Sequence, residues 1–340
     1  MKTFQALVLD EKAGKPVASF RELSIDALPP GEVLVSVAWS SLNYKDALAV
    51  TGRGKIVRQY PMVPGIDLAG TVEESSSPEF KRGDKIIVTG CGLGEDRWGG
   101  FSQLARVKVE SIVPLPERLS LKQAMAVGTA GFTAMLCVMA LEDHGLRPGK
   151  DLAATRPVEA GEVVVTGAAG GVGSVAVVLL AKLGHTVAAS TGRAEAHDYL
   201  RSLGASRILD RKFFTAPADK PLGSARWAGA IDTVGGGTLA AVIRSLAYGR
   251  SVAACGLAGG SELNTTVYPF ILRAVNLLGI NSSLCPYERR LQAWKRLAKE
   301  LPLDLLDSMT QTARLQDIPK LSGQMLEGKI RGRTVIAVNI

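Results

Sequence analysis

The chain of 340 residues carries 46% hydrophobic and 21% charged residues with 37 glycines. That length suits about two domains of ~100–200 residues each, and that balance excludes wholesale disorder, coiled coil and collagen. Lys and Arg exceed Asp and Glu by 40 − 32 = 8 charges, but aromatic residues are only 5% and no long basic run occurs. Small phosphorylated ligands therefore fit the charge better than nucleic acid does.

In chain order, the opening MKTFQALVLDEKAGKP has too short an apolar run before Asp10 and Glu11 for a secretory leader. No stretch of ~18 apolar residues follows, so the reading is a cytoplasmic protein with no membrane partner. The cysteines at 91, 137, 255 and 285 are far apart, with no C-x-x-C, which argues against a disulfide framework and a structural zinc. Residues 4–9, 33–39, 85–89 and 103–109 read as short strands separated by turn signals at 29–31, 64–65 and 81–84. They predict a small β-rich barrel or sandwich.

After residue 124 the texture changes. Helices are expected at 126–141, 172–183, 194–203, 239–246 and 287–301, and strands at 162–166, 186–190, 207–210, 230–234 and 251–256. Alternation of this kind makes an α/β fold, a doubly wound parallel sheet covered by helices. A last strand at 333–338 is one the first domain can accept, so the division expected is 1–125 completed by 302–340, with 126–301 between.

The segment VVVTGAAGGVG (163–173) is a β-branched strand, a glycine turn and an apolar helix start. Ala168 replaces the first glycine of G-x-G-x-x-G, while Gly170 lets the backbone approach a pyrophosphate and Gly173 lets the helix pack on its strand. Ala169, Gly170, Gly171, Val172 and Gly173 thus read as a dinucleotide cradle, whose phosphates face free N–H groups at the helix N-terminus. A purely structural βα turn is the alternative. The second strand ends in Thr191, Gly192 and Arg193. It has no carboxylate for ribose hydroxyls, but a guanidinium suited to a 2′-phosphate, so NADPH is the cofactor expected. Arg211, past the third strand, is a second candidate for that phosphate, with a plain surface role equally open.

The blocks SLNYKDA (41–47), PMVPGID (61–67), GTAGFT (128–133), AACGL (253–257) and CPYERR (285–290) resemble the medium-chain dehydrogenase/reductase superfamily. Within it they look like the YhdH/AcuI branch of NADPH-dependent acryloyl-CoA reductases, often labelled quinone oxidoreductases. The resemblance implies a GroES-like domain joined to a Rossmann domain, a small-molecule substrate and a homodimer. It places Asn43, Ile66 and Thr129 where zinc members carry metal ligands, which implies no metal. It further implies NADPH contacts at Tyr44, Leu257, Ile271 and Ser282, and makes Arg333 the candidate for a pyrophosphate arginine or an exposed strand residue.

Metal-free conjugate reduction needs hydrogen-bond donors for the developing enolate. Tyr44 and Asn43 are the candidates, with Asp46 and Asp67 orienting them or capping turns. Arg53, Lys55 and Arg58 follow directly as a glycine-flexed basic loop, suited to the phosphates of CoA or simply solvated. Quinone reduction is the competing enzyme reading, and a non-catalytic NADPH-binding or nucleic-acid-binding protein is a third.

Overall fold

The computed structural model describes residues 2–148, 161–215 and 220–339. The chain divides into two compact units, one of Met1–Ala130, Ser282–Ala298 and Leu306–Ile340, the other of Gly131–Asn281 and Lys299–Leu305.

In the first unit, strand Thr3–Lys12 pairs antiparallel with Lys15–Ser24 through a turn whose central residues, Ala13 and Gly14, both have positive φ. The second strand of this hairpin was not expected, because Pro16 and its mixed polarity suit only an edge. Side chains alternate along the first strand. Phe4, Ala6 and Val8 enter one core with Leu34, Val63 and Leu104, while Leu7 enters another with Val35, Leu68 and Ile86. Each such burial is worth about 1.5–3 kcal/mol, which fixes the strand between two cores.

The main sheet runs in the order Thr310–Arg314, Arg333–Ala337, Val33–Ser41, Asp67–Ser75, Lys85–Thr89 and Val113–Pro114, with Leu104–Val107 paired to Val33–Ser41. The returning strand Arg333–Ala337 therefore lies inside this sheet, between Thr310–Arg314 and Val33–Ser41.

The second unit holds six parallel strands. In chain order they are Glu162–Val165, Val187–Thr191, Arg207–Asp210, Trp227–Asp232, Ser251–Ala254 and Asn276–Gly279. In space they lie third, second, first, fourth, fifth, sixth. The order reverses between the first and fourth strands, the place where open α/β sheets bind ligands. The expected elements appear, with shifted ends. The stretch 194–203 is a 3-10 turn, Ala194–Ala196, followed by helix His197–Ser202. The sixth strand escaped the sequence because NLLG is short and half exposed.

Two elements depart from expectation. The helix at 126–141 is part of a longer one, Leu121–Asp143, broken by non-helical φ and ψ at Gly128. It is long and apolar enough by composition to cross a membrane, yet most of it is buried inside the protein. The helix Tyr287–Glu300, assigned above to the second domain, groups through residue 298 with the first unit. The reason is Arg290, 2% exposed, whose Nη1 donates to the Thr89 carbonyl at 2.7 Å and Oγ1 at 3.0 Å. Its Nη2 donates to the Ser282 carbonyl at 3.0 Å, so one guanidinium ties the helix and the segment before it to strand Lys85–Thr89.

Removing that guanidinium leaves buried carbonyls unpaired, at about 1–3 kcal/mol for each. Arg290→Ala should therefore lower the urea unfolding midpoint, and Arg290→Lys should recover only part of the loss, because an ammonium cannot span both carbonyls. An unchanged midpoint in Arg290→Ala would remove the clamp from the account.

Candidate active site

The second unit builds the glycine turn as follows. Gly167, with φ +58, turns the chain out of the first strand, and the Gly170 N–H donates to the Gly167 carbonyl at 3.0 Å. A Cβ on Gly173 would stand 2.6 Å from the Ala168 Cα, so the helix Gly171–Lys182 lies hard against the turn. A Cβ on Gly170 would meet only the Gly167 carbonyl oxygen, at 3.3 Å. That side is open, with room for an anion to approach the backbone. Gly170 caps the helix without a side-chain bond, which leaves the N–H groups of the first turn for an anion.

Two residues the sequence reading missed hold this turn. Ser174 Oγ donates to the Ala168 carbonyl at 3.2 Å, and Tyr199 Oη donates to Ser174 Oγ at 2.9 Å. Thr166 and Asp232 lock the first and fourth strands together. Thr166 Oγ1 donates to Asp232 Oδ1 at 2.6 Å, and the Gly235 N–H donates to Asp232 Oδ2 at 2.7 Å. Burial raises the Asp232 pKa, and these bonds oppose the rise.

At the end of the second strand the Arg193 N–H donates to Thr191 Oγ1 at 3.2 Å. A Cβ on Gly192 would lie 2.6 Å from Arg211 Cδ and 2.7 Å from its Nε, so the Arg211 side chain lies across the glycine. Arg211 is exposed and has no ion-pair partner among the described residues. The structure thus brings Thr191, Gly192, Arg193 and Arg211 to one edge, with the charge that a 2′-phosphate needs. Leu257 and Ile271 are both exposed in the same unit.

The first unit encloses a buried charged cluster. Asp67 accepts from Ser41 Oγ at 2.6 Å, Asn43 Nδ2 at 2.8 Å, the Thr129 N–H at 2.8 Å and Thr129 Oγ1 at 2.5 Å. Asp46 accepts from the Asn43 N–H at 2.8 Å and the Ile66 N–H at 2.9 Å. Arg333, 2% exposed, donates through Nε to the Ala126 carbonyl at 2.7 Å, through Nη1 to Asn43 Oδ1 at 3.2 Å and through Nη2 to Ser41 Oγ at 3.0 Å. Gly128, at φ +50, is what lets the chain pass, since a Cβ would meet Arg333 Nη2 at 2.6 Å and Asp67 Oδ2 at 2.7 Å. A glycine inside an apolar helical run was the signal available for it.

Two expectations change here. Asn43 caps helix Tyr44–Thr51 in a capping box and spends its amide on Asp67, Asp46 and Ser41, so it holds the cluster instead of presenting a donor to a ligand. Arg333 is neither a free pyrophosphate arginine nor an exposed strand residue, because its donors are committed inside the first unit. Tyr44, by contrast, begins the helix with its ring 44% exposed and its hydroxyl unpaired among the described residues. Arg53, Lys55 and Arg58 follow that helix, all exposed and none in an ion pair among the described residues; the Arg58 N–H anchors the loop on the Glu95 carbonyl at 2.8 Å. Ser282 is half-buried, its carbonyl held by Arg290.

Residues 29–117 match the alcohol dehydrogenase GroES-like domain, and residues 171–299 match the zinc-binding dehydrogenase domain. The acrylyl-CoA reductase AcuI of Ruegeria pomeroyi is 54% identical over 338 residues, 99% of each chain. The putative quinone oxidoreductase YhfP of Bacillus subtilis is 46% identical over 334 residues, 98% of each chain. Escherichia coli YhdH, solved with bound NADPH, matches with a TM-score of 0.93 and 52% identity over 98% of this chain and all of that one. Fold and glycine turn define a dehydrogenase of the medium-chain type. The chain belongs to the medium-chain dehydrogenase/reductase superfamily and, within it, to the YhdH/AcuI family.

The zinc that this domain name implies does not fit the residues at the places where zinc members carry their ligands. Asn43 and Thr129 offer an amide and a hydroxyl already bonded to Asp67, and Ile66 offers an alkyl group. Among the described residues no three His, Cys, Asp or Glu side chains gather to hold a metal.

Burial, reinforced by the charge of Asp67, pushes the Asp46 pKa up to about 7 against the bonds from Asn43 and Ile66. In the unfolded chain the group titrates near about 3.9. The native state therefore binds the extra proton between those values, and the contribution of Asp46 to stability is full below about pH 4 and lost as pH rises toward 7. Wild-type protein should lose unfolding free energy from pH 5 to 7 faster than Asp46→Asn, by at most about 1.4 kcal/mol per pH unit. Equal slopes in urea titrations would remove the buried acid from the account.

Proposed function

We propose that the protein reduces the carbon–carbon double bond of acryloyl-CoA to propionyl-CoA with NADPH, without a metal. The observation that carries this reading is the 54% identity, end to end, with an acrylyl-CoA reductase. The site supports it through the open glycine turn and the Arg211 side chain lying across Gly192.

NADPH, when bound, supplies the hydride for the β-carbon. The chain's own residues do the rest. The N–H groups after Gly170 hold the pyrophosphate, and Arg193 and Arg211 hold the 2′-phosphate. Tyr44 places its free hydroxyl against the ligand, where a phenol donor stabilises the oxygen charge that develops on the thioester. Asp46 and Asp67 fix the helix that carries Tyr44. Arg53, Lys55 and Arg58 bind the CoA phosphates. Leu257, Ile271 and Ser282 line the cofactor.

The protein acts as a homodimer in the cytoplasm. The sixth strand of the second unit has an unpaired outer edge among the described residues, and Leu277, Val267, Tyr268 and Leu272 are exposed in that unit, a surface suited to a second copy. All four cysteines are free, as in a reducing compartment.

Arg193→Ala and Arg211→Ala should each raise the KM for NADPH about tenfold or more while scarcely changing that for NADH, because a charged hydrogen bond is worth about 1.5–3 kcal/mol. Equal losses with both cofactors would sink the phosphate assignment. The substrate is tested by steady-state rates with NADPH against acryloyl-CoA and a neutral quinone. Replacing Lys55 and Arg58 together by Ala should weaken acryloyl-CoA, less so as salt rises, and leave the quinone rate alone. A better rate with the quinone, indifferent to the loop, would favour the activity for which YhfP is named.

A further inference from the structure

Ala168, which stands in place of the first glycine of the turn, is held from both sides. Its N–H donates to the Ser190 carbonyl at 3.0 Å, and its carbonyl accepts from Ser174 Oγ at 3.2 Å. Ser174 has no exposed surface and lies near the start of helix Gly171–Lys182, where a serine hydroxyl ordinarily turns back to the carbonyl four residues earlier, here that of Gly170. What turns it the other way is Tyr199. From helix His197–Ser202, which follows Arg193 in the chain, the Tyr199 hydroxyl donates to Ser174 Oγ at 2.9 Å. An oxygen that accepts one hydrogen bond donates a stronger one, so the phenol both directs the serine proton and strengthens its bond to Ala168.

We propose that Tyr199, acting through Ser174, is a positioning residue that presets the glycine turn for the pyrophosphate of the dinucleotide, whether or not that dinucleotide carries a 2′-phosphate; the role rests on the cofactor site assigned above.

The turn has no slack in which to absorb the loss of this brace. A Cβ on Gly173 would stand 2.4 Å from the Gly167 carbonyl oxygen and 2.6 Å from the Ala168 Cα, so the turn and the start of the helix move together. Gly170 joins them, its N–H on the Gly167 carbonyl at 3.0 Å and its carbonyl accepting from the Ser174 N–H at 2.9 Å. With the phenol gone, the Ser174 hydroxyl is released to the Gly170 carbonyl, and the Ala168 carbonyl loses it. The N–H groups after Gly170 then sample other directions, and an anion must first select the competent one, which weakens its binding by the fraction lost. That cost falls on the pyrophosphate. The edge that faces a 2′-phosphate is held by Thr191 and Gly192 against Arg193 and Arg211, not by Ser174.

The test is Tyr199→Phe in the full chain, which keeps the ring and removes one hydroxyl. In fluorescence titrations the dissociation constants for NADPH and for NADH should both rise about fivefold, the worth of one neutral hydrogen bond, while the melting temperature moves by no more than a few degrees. The competitor 2′-AMP, which has the 2′-phosphate and no pyrophosphate, should bind wild type and variant alike. Ser174→Ala should match Tyr199→Phe, and the double variant should be no weaker than either. Without cofactor, amide exchange should quicken in Tyr199→Phe at 168–173 and not in the rest of the second unit. Unchanged constants, a loss confined to NADPH, or a loss shared by 2′-AMP would overturn the role. Exchange quickened across the whole second unit would make Tyr199 a residue of stability alone and overturn it as well. Wild-type protein that binds neither dinucleotide would overturn the cofactor reading, while exchange quickened at 168–173 alone would still establish the brace.

Discussion

The first unit depends on one buried cation. Arg333 has almost no solvent to share its charge, and Asp67 and Asp46 supply the negative charge that opposes the desolvation of its guanidinium. Burial, and after it the charge of Asp67, lifts Asp46 to about 7, which relieves the excess negative charge that two carboxylates and one guanidinium would leave there. The rest of the neighbourhood is arranged to satisfy lone pairs and protons. Asn43 caps a helix and bonds both acids, Thr129 gives two donors, and Gly128 leaves out the carbon that would not fit. Tyr44 is oriented because the residue before it is pinned.

That cluster also shows why these residues do not fit the ion of the zinc-binding dehydrogenases. A metal site concentrates positive charge among anionic or neutral ligands. Here the positive charge belongs to a side chain fixed by four acceptors, among them the carbonyls of Ala126 and Met125. A guanidinium spreads its charge over a plane and donates along fixed directions, so it organises hydrogen bonds but offers no open coordination position.

Much of this was legible in the sequence, for reasons that differ by element. A parallel sheet covered by helices followed from alternating β-branched and helical runs, and the nucleotide turn from Gly170 and Gly173, whose backbone needs are local. The approach of Arg211 to Gly192 is tertiary, and the sequence left Arg211 open between a phosphate contact and a plain surface role. The role of Arg333 was hidden because its partners Ala126 and Ser41 lie 207 and 292 positions away; for Asn43 the cap shared with Asp46 is local, and only its bond to Asp67 needed the fold. Strands Lys15–Ser24 and Asn276–Gly279 were invisible because edge strands need little hydrophobic alternation.

Arg333 stands near the end of a unit that also contains the start of the chain. On the ribosome, the acids at 46 and 67 and the strand Val33–Ser41 emerge long before the guanidinium and the strand that lies beside them. The whole of the second unit, 131–281 and 299–305, is made in between. The nucleotide domain is therefore free to fold while its predecessor waits, its acids still in water, for strand Arg333–Ala337. Birth order and folding order are inverted, and a chain cut before Arg333 would release the first unit without that cation.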